Sequence, residues 1–409
     1  MKHVNTVIIG GGQAGLAMGR CLYQFGVEHV ILERGRIGER WRSERWDSLR
    51  MLTPNWQSRL PHWHYKGSDP DAFMTMPEFV HHLENYAQSY EAPVQTGTAV
   101  TSLEQLSDTR FRVTTDREVW LAANVVIATG FCDKPRIPEF AADVPEEIRH
   151  IVPADYRNPG QVPEGNVLVV GASATGLQIG EELLAAGREV TLAVGTHIRV
   201  PRRYRGRDIL FWMDAMGAFA SPANPAVERS MPPPQLIGAD DNHDLDVGTL
   251  QDKGARLAGR AIGVKGSTVR FADTLHETVR AADDGMFSLL AKIDGFIKAN
   301  RMNVPPAEPD ALRPTDLRPA PSSLDLDAEG IRSIVWATGY RREYPWLKVP
   351  VLDDRGEVRH EGGITPVPGL YVLGMRFQKR KFSNLVDGVG RDAEDLSLHI
   401  AARQSARAA

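Results

Sequence analysis

A glycine-rich turn between an apolar strand and a helix occurs twice in this chain of 409 residues. In the first copy, Val4 to Ile9 predicts a buried parallel strand, and Gly10-Gly11-Gly12-Gln13-Ala14-Gly15 follows it directly. The G-x-G-x-x-G spacing permits a tight turn, close approach of a pyrophosphate and close packing of helix on strand. The helix N-terminus adds N–H donors and a positive dipole end. We therefore predict a dinucleotide site here.

An acidic residue strengthens this prediction. The next apolar run, His29 to Leu32, predicts a second strand, and Glu33 follows it, 18 residues after Gly15. A carboxylate at about this distance accepts hydrogen bonds from a ribose. A glycine turn alone is a weak signal, whereas strand, turn, helix and acid together are a strong one.

The second copy begins 161 residues later and lacks the acid. Asn166 to Val170 predicts a strand, Gly171-Ala172-Ser173-Ala174-Thr175-Gly176 a turn, and Leu177 to Ala186 a helix. After the next strand, Glu189 to Val194, five arginines follow: Arg199, Arg202, Arg203, Arg205 and Arg207. Arginine without a carboxylate favours a 2′-phosphate, hence NADP rather than NAD. The alternative is a solvated basic face.

Two strands end in the same tripeptide. Val125 to Gly130 and Ile334 to Gly339 both end in Ala-Thr-Gly, at the points where the chain is expected to leave one dinucleotide unit and enter the next module. Small residues allow backbone and cofactor to come close there.

Composition excludes several other classes of protein. The formal charge of −4 does not favour nucleic acid as a partner. No apolar run approaches the roughly 18 to 20 residues of a membrane helix, and no signal peptide is recognised, so we expect a cytoplasmic protein. Cys21 and Cys132 lie 111 positions apart, which argues against a disulfide framework, a cysteine zinc site or a redox dithiol. Cys21 is expected to be a small buried side chain.

Histidine clusters invite a metal interpretation that we do not favour. His62-Trp63-His64, His81-His82 and Asp240 to Asp244 show no fixed set of four ligands, so no metal is predicted. Among four tryptophans in the N-terminal region, Trp41 is the one expected to contact a cofactor ring.

The chain resembles the flavin-containing monooxygenases, the single-component class B flavoprotein monooxygenases, and in particular their compact bacterial and plant indole-pyruvate branch. The likeness covers nearly the whole chain. It is carried by both glycine turns, Glu33, both Ala-Thr-Gly segments and further segments: Gly38-Glu39-Arg40-Trp41-Arg42, Leu49-Arg50-Met51-Leu52-Thr53-Pro54, Leu60-Pro61, Pro368 to Gly374 and Asp387-Gly388-Val389-Gly390-Arg391-Asp392-Ala393.

This resemblance implies an α/β fold with two Rossmann-like dinucleotide-binding domains, the NADPH domain inserted into the FAD domain. The expected divisions are residues 1–160 and 336–409 for FAD and 161–335 for NADPH with a substrate-access insertion. The family's chemistry is NADPH- and O2-dependent oxygenation of a small organic substrate through a flavin C4a-(hydro)peroxide. Because the cofactor performs this chemistry, no catalytic side chain is assigned. A homodimer is compatible with this interpretation.

The expected cofactor contacts follow from the matching segments. For FAD they are Gly10, Gly12, Gln13, Ala14, Gly15, Glu33, Arg34, Trp41, Arg42, Leu52, Thr53, Val100, Thr129, Gly130, Gly374 and Gly388. For NADPH they are Gly171, Ser173, Ala174, Thr175, Gly176, Arg199, Arg202, Arg203, Thr338 and Gly339. Glycines 388 and 390 are expected to bring backbone N–H groups of a helix N-terminus to the flavin, the alternative being a simple capping turn.

Two departures from the family pattern matter. The signature that links the domains survives only as Phe140, His150 and Tyr156 in a stretched form. Leu52 stands where many members have an asparagine that holds the oxygenated flavin, so leakage to hydrogen peroxide is an alternative outcome. N- or S-oxygenation, hydroxylation and Baeyer–Villiger chemistry all remain open, as do an NADPH-dependent oxidase or flavin reductase and a redox-sensing flavoprotein.

The region from 205 to 335 is the least informative. Its proline-rich stretches, 221–236 and 304–323, suit surface connections or a lid. Between them, Met286 to Ile297 has helical periodicity.

Overall fold

The computed structural model describes residues 1–107, 110–224, 231–307 and 312–408. The α-helices of these ranges are α1 (Gln13–Gln24), α2 (Glu39–Ser43), α3 (Met76–Gln88), α4 (Ala174–Ala185), α5 (Ile209–Ala215), α6 (Val247–Asp252), α7 (Leu275–Ala299) and α8 (Val386–Ala408). The strands are β1 (Lys2–Ile9), β2 (His29–Leu32), β3 (Val94–Gln95), β4 (Val100–Ser107), β5 (Arg110–Thr115), β6 (Val119–Ile127), β7 (Lys134–Pro135), β8 (Arg149–Ile151), β9 (Asn166–Val170), β10 (Val190–Ala193), β11 (Ile198–Arg199), β12 (Arg203–Tyr204), β13 (Arg207–Asp208), β14 (Pro234–Gln235), β15 (Arg256–Ala258), β16 (Ala261–Lys265), β17 (Thr268–Phe271), β18 (Ser323–Asp325), β19 (Ile331–Trp336), β20 (Tyr340–Arg341) and β21 (Leu370–Val372).

The first sheet has seven strands in the order β3-β2-β1-β6-β5-β4, and β21 also pairs with β6. The central strand β1 pairs in parallel with both neighbours, so that Val7 lies opposite Val30 on one side and Val125 on the other. Because the last four residues of β1 are buried, its apolar run is continuous, as expected of a strand covered on both faces. The first glycine turn therefore leaves the carboxyl end of the central strand.

The second sheet has five parallel strands in the order β15-β10-β9-β19-β8. Its central strand β9 again leads into a glycine turn and then into α4. An antiparallel sheet, β16-β17-β18, is formed by the chain between β15 and β19 of this sheet. The chain then returns to the first sheet through β21, which pairs in parallel with β6. This confirms the predicted α/β fold, in which one dinucleotide-binding unit is inserted into the other.

Two short strands join the units. β20 pairs antiparallel with β7, and Tyr340 lies opposite Pro135. β20 directly follows the second Ala-Thr-Gly segment and β7 begins four residues after the end of the first, so the outgoing and returning connections run side by side. A hydrogen bond from Arg136 N–H to the Gly339 carbonyl, at 2.9 Å, extends this pairing.

Helix α3 has a strongly capped start. Thr75 accepts a hydrogen bond from Glu78 N–H, and the Glu78 carboxylate accepts one from Thr75 N–H, which forms a capping box. One face of the helix buries Phe79, Leu83 and Tyr86. The opposite face is polar.

The predicted helix around 286–297 is confirmed as part of the 25-residue α7. It packs with α5 in a separate apolar cluster that includes Trp212, Met286 and Ile293. Parts of the two proline-rich stretches, 225–230 and 308–311, lie outside the described residues. Among the helices that the structure describes, none combines the length and hydropathy of a bilayer-spanning segment.

Candidate dinucleotide sites

Two glycines of the first turn are required by the backbone. Gly10 has φ +115°, and a Cβ there would lie 2.5 Å from the Ala128 carbonyl oxygen. A Cβ on Gly15 would lie 1.9 Å from the Gly10 carbonyl oxygen. The tight turn, the first Ala-Thr-Gly segment and α1 are therefore in direct backbone contact, as the sequence predicts.

Gly12 differs because it faces open space. A Cβ there would meet no heavy atom within 4 Å, and its backbone is extended rather than left-handed. Gly12 is also the N-cap of α1; no side chain caps it, and the first turn of α1 contains no acidic residue. The N-terminal N–H groups of α1 are thus available to an anion, and the space beside Gly12 fits a pyrophosphate.

Glu33 lies beside this turn and is 8% exposed. Its carboxylate accepts hydrogen bonds from Gly11 N–H at 2.6 Å and from Gly35 N–H at 2.8 Å. These bonds fix both carboxylate oxygens of Glu33 at the end of β2. Because the donors are backbone N–H groups, the negative charge is not neutralised. The remaining acceptor capacity suits ribose hydroxyl groups.

Helix α2 carries the tryptophan motif onto the first turn. Gly38 N–H donates to the Gly11 carbonyl at 3.1 Å, and Trp41 Nε1 donates to Gln13 Oε1 at 3.1 Å. Arg42, on the same helix, forms an ion pair with Glu84. The structure therefore places Trp41 against the glycine turn, whereas the Arg42 guanidinium already has a carboxylate partner.

Arg40 is a residue of this site that the sequence did not single out. Its Nη1 donates to the carbonyls of Thr129 at 3.2 Å and Cys132 at 2.7 Å, and its Nη2 pairs with Asp133. A Cβ added at Gly130 would lie 3.9 Å from Nη1. Arg40 thus fastens α2 to the first Ala-Thr-Gly segment. Its place inside the tryptophan motif was the available signal.

The second glycine turn repeats this geometry. Gly171 has φ +115°, and its Cβ would lie 2.3 Å from the Ala337 carbonyl oxygen. A Cβ on Gly176 would lie 1.9 Å from the Gly171 carbonyl oxygen. Ser173 is the N-cap of α4 and makes no side-chain capping bond. Ala174 and Thr175 follow in the first turn, so this helix N-terminus is also available to an anion.

Arg199 and Arg202 do not have the free side chains that a 2′-phosphate site requires. Arg199 is buried and pairs with Asp246 and Asp283, each at 2.6 Å. Arg202 is 1% exposed, pairs with Asp208 and donates to the Leu52 carbonyl at 2.9 Å. These contacts count against a nucleotide role for both, because a buried guanidinium needs its carboxylate partners.

Arg203 is the exposed member of the predicted trio. Its Nη2 donates to the Gly206 carbonyl at 2.8 Å, and the rest of its guanidinium faces solvent. Thr196, also exposed, lies in the loop that follows β10, two residues after Val194, which occupies the position of Glu33 in the first unit. The sequence alone could not separate Arg203 from its buried neighbours, because the carboxylates that pair with Arg199 are far away in the chain.

The segment from 51 to 54 lies against the second unit. Besides the bond from Arg202 to Leu52, Gly238 approaches so closely that a Cβ there would lie 2.2 Å from the Met51 carbonyl oxygen. The buried hydroxyl of Thr53 and the buried amide of Gln57 have no hydrogen-bond partner within the described ranges. Unsatisfied buried polar groups of this kind fit a site that receives a polar ligand.

The closing segment is only partly as expected. A Cβ on Gly374 would lie 3.0 Å from the Ala14 side chain, so Gly374 does pack on the start of α1. Gly388, however, faces a backbone: its Cβ would lie 1.8 Å from the Phe382 carbonyl oxygen. Gly390 packs similarly on Pro61, at 3.0 Å. Contacts with protein therefore account for the absence of a side chain at both helix glycines, and the approach of their backbone N–H groups to the flavin stays a prediction.

The other residues predicted to contact a cofactor lie outside the two glycine turns. The Arg34 side chain is exposed and approaches Glu44 at 3.8 Å. Val100 begins β4, Thr338 donates its hydroxyl to the Arg136 carbonyl, and Gly339 has φ +90° with open space beside it. Two residues of the signature that links the domains, Phe140 and His150, both contact Trp336. The ring centroid of Phe140 lies 6.0 Å from that of Trp336, and the ring centroid of His150 lies 5.6 Å from it.

Taken together, these residues fit two dinucleotides. The first turn offers an open backbone cradle, an uncapped helix N-terminus and a fixed carboxylate, which fits FAD. The second offers an equivalent cradle without a carboxylate, which fits NADPH. In the part of the chain that the structure describes, no three His, Cys, Asp or Glu side chains are grouped so as to hold a metal ion. Cys21, 1% exposed, is buried as predicted.

Comparisons with known proteins agree with this geometry. Residues 7–205 match the family model described as pyridine nucleotide-disulphide oxidoreductase. An uncharacterized CzcO-like oxidoreductase of Geobacillus kaustophilus is 34% identical over 97% of this chain and 98% of its own. A probable indole-3-pyruvate monooxygenase of Arabidopsis thaliana, YUCCA10, is 29% identical over 50% of this chain and 54% of its own.

A solved structure shows the same fold. The flavin-containing monooxygenase from Stenotrophomonas maltophilia matches with a TM-score of 0.70 at 20% identity, over 98% of this chain and 99% of that one. The predicted resemblance to the flavin-containing monooxygenases is thereby confirmed for the fold. The chain belongs to the same family of oxidoreductases as its CzcO-like relative.

Proposed function

We propose that this protein binds FAD at the first glycine turn and NADPH at the second, and transfers one oxygen atom of O2 to a small organic substrate. The observation that carries this proposal is the repeated cradle. Each copy has two positions that must be glycine because a Cβ would clash with the backbone. Each also has a helix N-cap residue, Gly12 or Ser173, that makes no side-chain capping bond, and a carbonyl of an Ala-Thr-Gly segment packed against the turn. We assign residues 1–160 and 336–409 to FAD and 161–335 to NADPH.

When bound, FAD accepts a hydride from NADPH and passes the electrons to O2. The chain binds and orients. Glu33 accepts hydrogen bonds from the adenosine ribose of FAD, and the start of α1 faces its pyrophosphate. Trp41, held by Gln13, limits the position of the flavin ring. Arg40 fixes α2 to the connection between the units.

The nucleotide preference is assigned to exposed groups of the second unit. With Arg199 and Arg202 committed to carboxylates, the 2′-phosphate of NADPH is proposed to face Arg203 and Thr196. No carboxylate follows β10 to repel that phosphate, since the loop reads Val194-Gly195-Thr196-His197.

The type of oxygenation is a finer matter. N- or S-oxygenation, hydroxylation and Baeyer–Villiger chemistry need the same cofactor arrangement, so the cradle supports them equally. A relative named as a probable indole-3-pyruvate monooxygenase favours oxygen transfer over simple oxidation.

The second candidate function is an NADPH oxidase that releases hydrogen peroxide. One observation favours it: Leu52 offers no side-chain hydrogen bond, and its carbonyl is already bound by Arg202. A leucine side chain at this position cannot hydrogen-bond an oxygenated flavin, so it would protect such a flavin less well than an asparagine.

The test is to reduce the FAD-loaded protein with NADPH without oxygen and then mix it with O2 in a stopped-flow spectrometer. A transient absorbance distinct from both reduced and oxidised flavin, followed by slow release of hydrogen peroxide, supports the monooxygenase. Immediate return of the oxidised spectrum with equally fast release of one peroxide per NADPH supports the oxidase. Leu52→Asn is the matched variant, and it should lengthen the transient and slow the release of peroxide.

A further inference from the structure

Two arginines at the junction between the units have no carboxylate partner. Arg45 follows α2, and Arg376 follows Gly374, which packs on the start of α1. Neither guanidinium lies within 4 Å of a carboxylate in the described ranges. Two other partly buried arginines of the junction differ, because Arg40 pairs with a carboxylate and so does Arg342. We call Arg45 and Arg376 the arginine pair.

Both members of the arginine pair lie near the connection that leaves the first sheet. Burial raises the pKa of the Cys132 thiol on this connection, and the positive charges of Arg45, Arg40 and Arg376 oppose that rise. Burial raises the pKa of the Tyr340 hydroxyl, on the returning connection, to about 12, and Arg45 opposes this too. Because such effects act over short distances, the arginine pair lies where the two connections meet.

Most N–H groups of the arginine pair are free to meet a ligand. In the part of the chain that the structure describes, Arg45 donates one hydrogen bond, to the Glu44 carbonyl at 2.7 Å. Arg376 likewise donates one, to the Met231 carbonyl at 2.7 Å. Both side chains are partly exposed, and their other nitrogen atoms are accessible to solvent. Since a guanidinium carries five N–H donors, several on each side chain remain available.

Arg376 is held in place at a cost in free energy. Burial lowers the pKa of its guanidinium, and the positive charge of Arg342 acts in the same direction. The next residue, Phe377, has φ +54°, a left-handed conformation that bulky residues rarely adopt. Its ring centroid lies 4.9 Å from the Arg376 guanidinium. Strained backbone of this kind occurs preferentially at ligand sites.

The acids closest to the arginine pair are bound by other arginines. Glu44 lies 3.6 Å from Arg40 and 3.8 Å from Arg34. Asp133 also pairs with Arg40. These two carboxylates and two guanidinium groups balance each other. The positive charges of the arginine pair are therefore left without compensation, which favours an anionic ligand.

The pyrophosphates of the two dinucleotides are assigned to the starts of α1 and α4, so the arginine pair offers a third anion site. We propose that it binds the carboxylate of the substrate, which makes the substrate a small organic acid. Two guanidinium forks match a carboxylate in geometry as well as in charge. The Arg45 guanidinium also lies 5.1 Å from the Trp41 ring centroid. The inference rests on the proposed function, in which Trp41 limits the position of the flavin.

The test is isothermal titration of the FAD-loaded protein, saturated with NADP⁺, with 4-(methylthio)butanoate, a flexible acid with an oxidisable sulfur. Saturable binding of one molecule per chain is expected, together with a change in the flavin absorbance spectrum. The neutral 4-(methylthio)butanamide should bind roughly tenfold more weakly, because the charge-assisted hydrogen bonds are lost. Equal binding of acid and amide, or an unchanged flavin spectrum, overturns the proposal. So does binding of the acid only without NADP⁺, since the arginine pair would then serve the nucleotide.

Variants locate the carboxylate. Arg376→Gln should weaken binding of the acid roughly tenfold and leave binding of the amide unchanged. Arg376→Lys keeps the charge without the fork, so it should recover part of the loss. Arg341→Gln is the matched control, because Arg341 lies exposed on the returning connection and pairs with Glu343 at 3.0 Å. It should bind the acid as the unaltered protein does.

Thermal unfolding checks that the variants are folded. Arg376→Gln leaves no carboxylate without a partner, so its unfolding midpoint should not fall. If Arg376→Gln and Arg341→Gln bind the acid equally well, the carboxylate lies elsewhere and the assignment fails. The titration uses neither NADPH nor O2, so its failure leaves the stopped-flow result unaffected.

Discussion

At the scale of single residues, glycine serves two different purposes in the same turn. A Cβ on Gly10 or Gly15 would lie only 2.5 or 1.9 Å from a carbonyl oxygen, whereas Gly12 has open space beside it. A side chain at Gly12 should therefore leave the fold intact and fill the place of the pyrophosphate. This separation of folding from binding makes Gly12 the informative position.

We predict that Gly12→Val folds normally and loses FAD. The extended backbone at Gly12 tolerates valine, so the effect is on the ligand alone. The ratio of absorbance at flavin and protein wavelengths after purification measures the FAD content, and circular dichroism measures the fold. Gly285→Val, on α7 with open space around it, is the matched control and should stay yellow. Full FAD content in Gly12→Val would contradict the placement of FAD.

The arginines give the second prediction at this scale. Arg199→Ala leaves Asp246 and Asp283 buried without a cationic partner, and this should cost about 3–5 kcal/mol of unfolding free energy. Arg203→Ala removes only an exposed group and should change stability by less than about 0.5 kcal/mol. Urea unfolding measures both. Arg203→Ala should instead raise the KM for NADPH more than the KM for NADH. If Arg199→Ala kept its stability and lost NADPH preference, the buried arginine would be the phosphate ligand.

At the scale of elements, the closing helix α8 depends on close contact with the turn before it. Because a Cβ on Gly388 would lie 1.8 Å from the Phe382 carbonyl oxygen, Gly388→Ala should destabilise the protein by about 1–3 kcal/mol or more. The loss should be the same with and without FAD if packing is its cause. Gly295→Ala, in open space on α7, should stabilise by up to about 1 kcal/mol. Thermal unfolding of both forms decides this, and a loss confined to the FAD-bound form would restore the contact with the flavin.

Helix α4 carries a carboxylate whose burial links stability to pH. Burial raises the pKa of Glu182, and the carboxylates of Asp47 and Glu181 act in the same direction. Its hydrogen bond from the Tyr156 hydroxyl, at 2.8 Å, only partly opposes this. Above the unfolded pKa of about 4.3, the unfolded chain loses this proton more readily than the folded protein does. Glu182 therefore costs stability as the pH rises.

Glu182→Gln should consequently stabilise the protein at pH 8 and have little effect at pH 4. The amide oxygen still accepts the hydrogen bond from Tyr156, so the contact is kept while the charge is removed. Urea unfolding at the two pH values measures the difference. Glu189→Gln, at an exposed position of the same unit, is the control. Destabilisation at pH 8 would mean that the charged form of Glu182 is the one the fold requires.

At the scale of the whole molecule, the sequence predicts features formed by residues that are close together in the chain. It misses features that depend on contacts between distant residues. The glycine turns and Glu33 are visible because their spacing follows from chain geometry, and the insertion of one unit into the other is implied by the resemblance to the family. The roles of Arg199 and Gly388 are not, since the partners that explain them, Asp283 and the Phe382 carbonyl, come close only after folding. The same is true of His64 and His82, which meet in one cavity.

Two separate cradles also predict additive stabilisation by the two cofactors. A ligand that binds only the folded protein stabilises it by RT ln(1 + [L]/Kd), which is about 2.7 kcal/mol at one hundred times Kd. The FAD-loaded protein should therefore gain further stability from NADP⁺, because the second cradle is still free. Thermal unfolding of the apoprotein with FAD, with NADP⁺ and with both measures the three increments.

The cradle variants make this prediction specific. Gly12→Val should abolish the increment from FAD and keep the one from NADP⁺, since the second cradle is formed by Gly171, Gly176 and the Ala337 carbonyl alone. Ser173→Phe, at the corresponding N-cap of α4, should show the reverse pattern. If NADP⁺ and FAD competed, so that the increment from both together equalled the larger of the two, one cradle would serve both nucleotides and hydride transfer between them within one chain would be impossible.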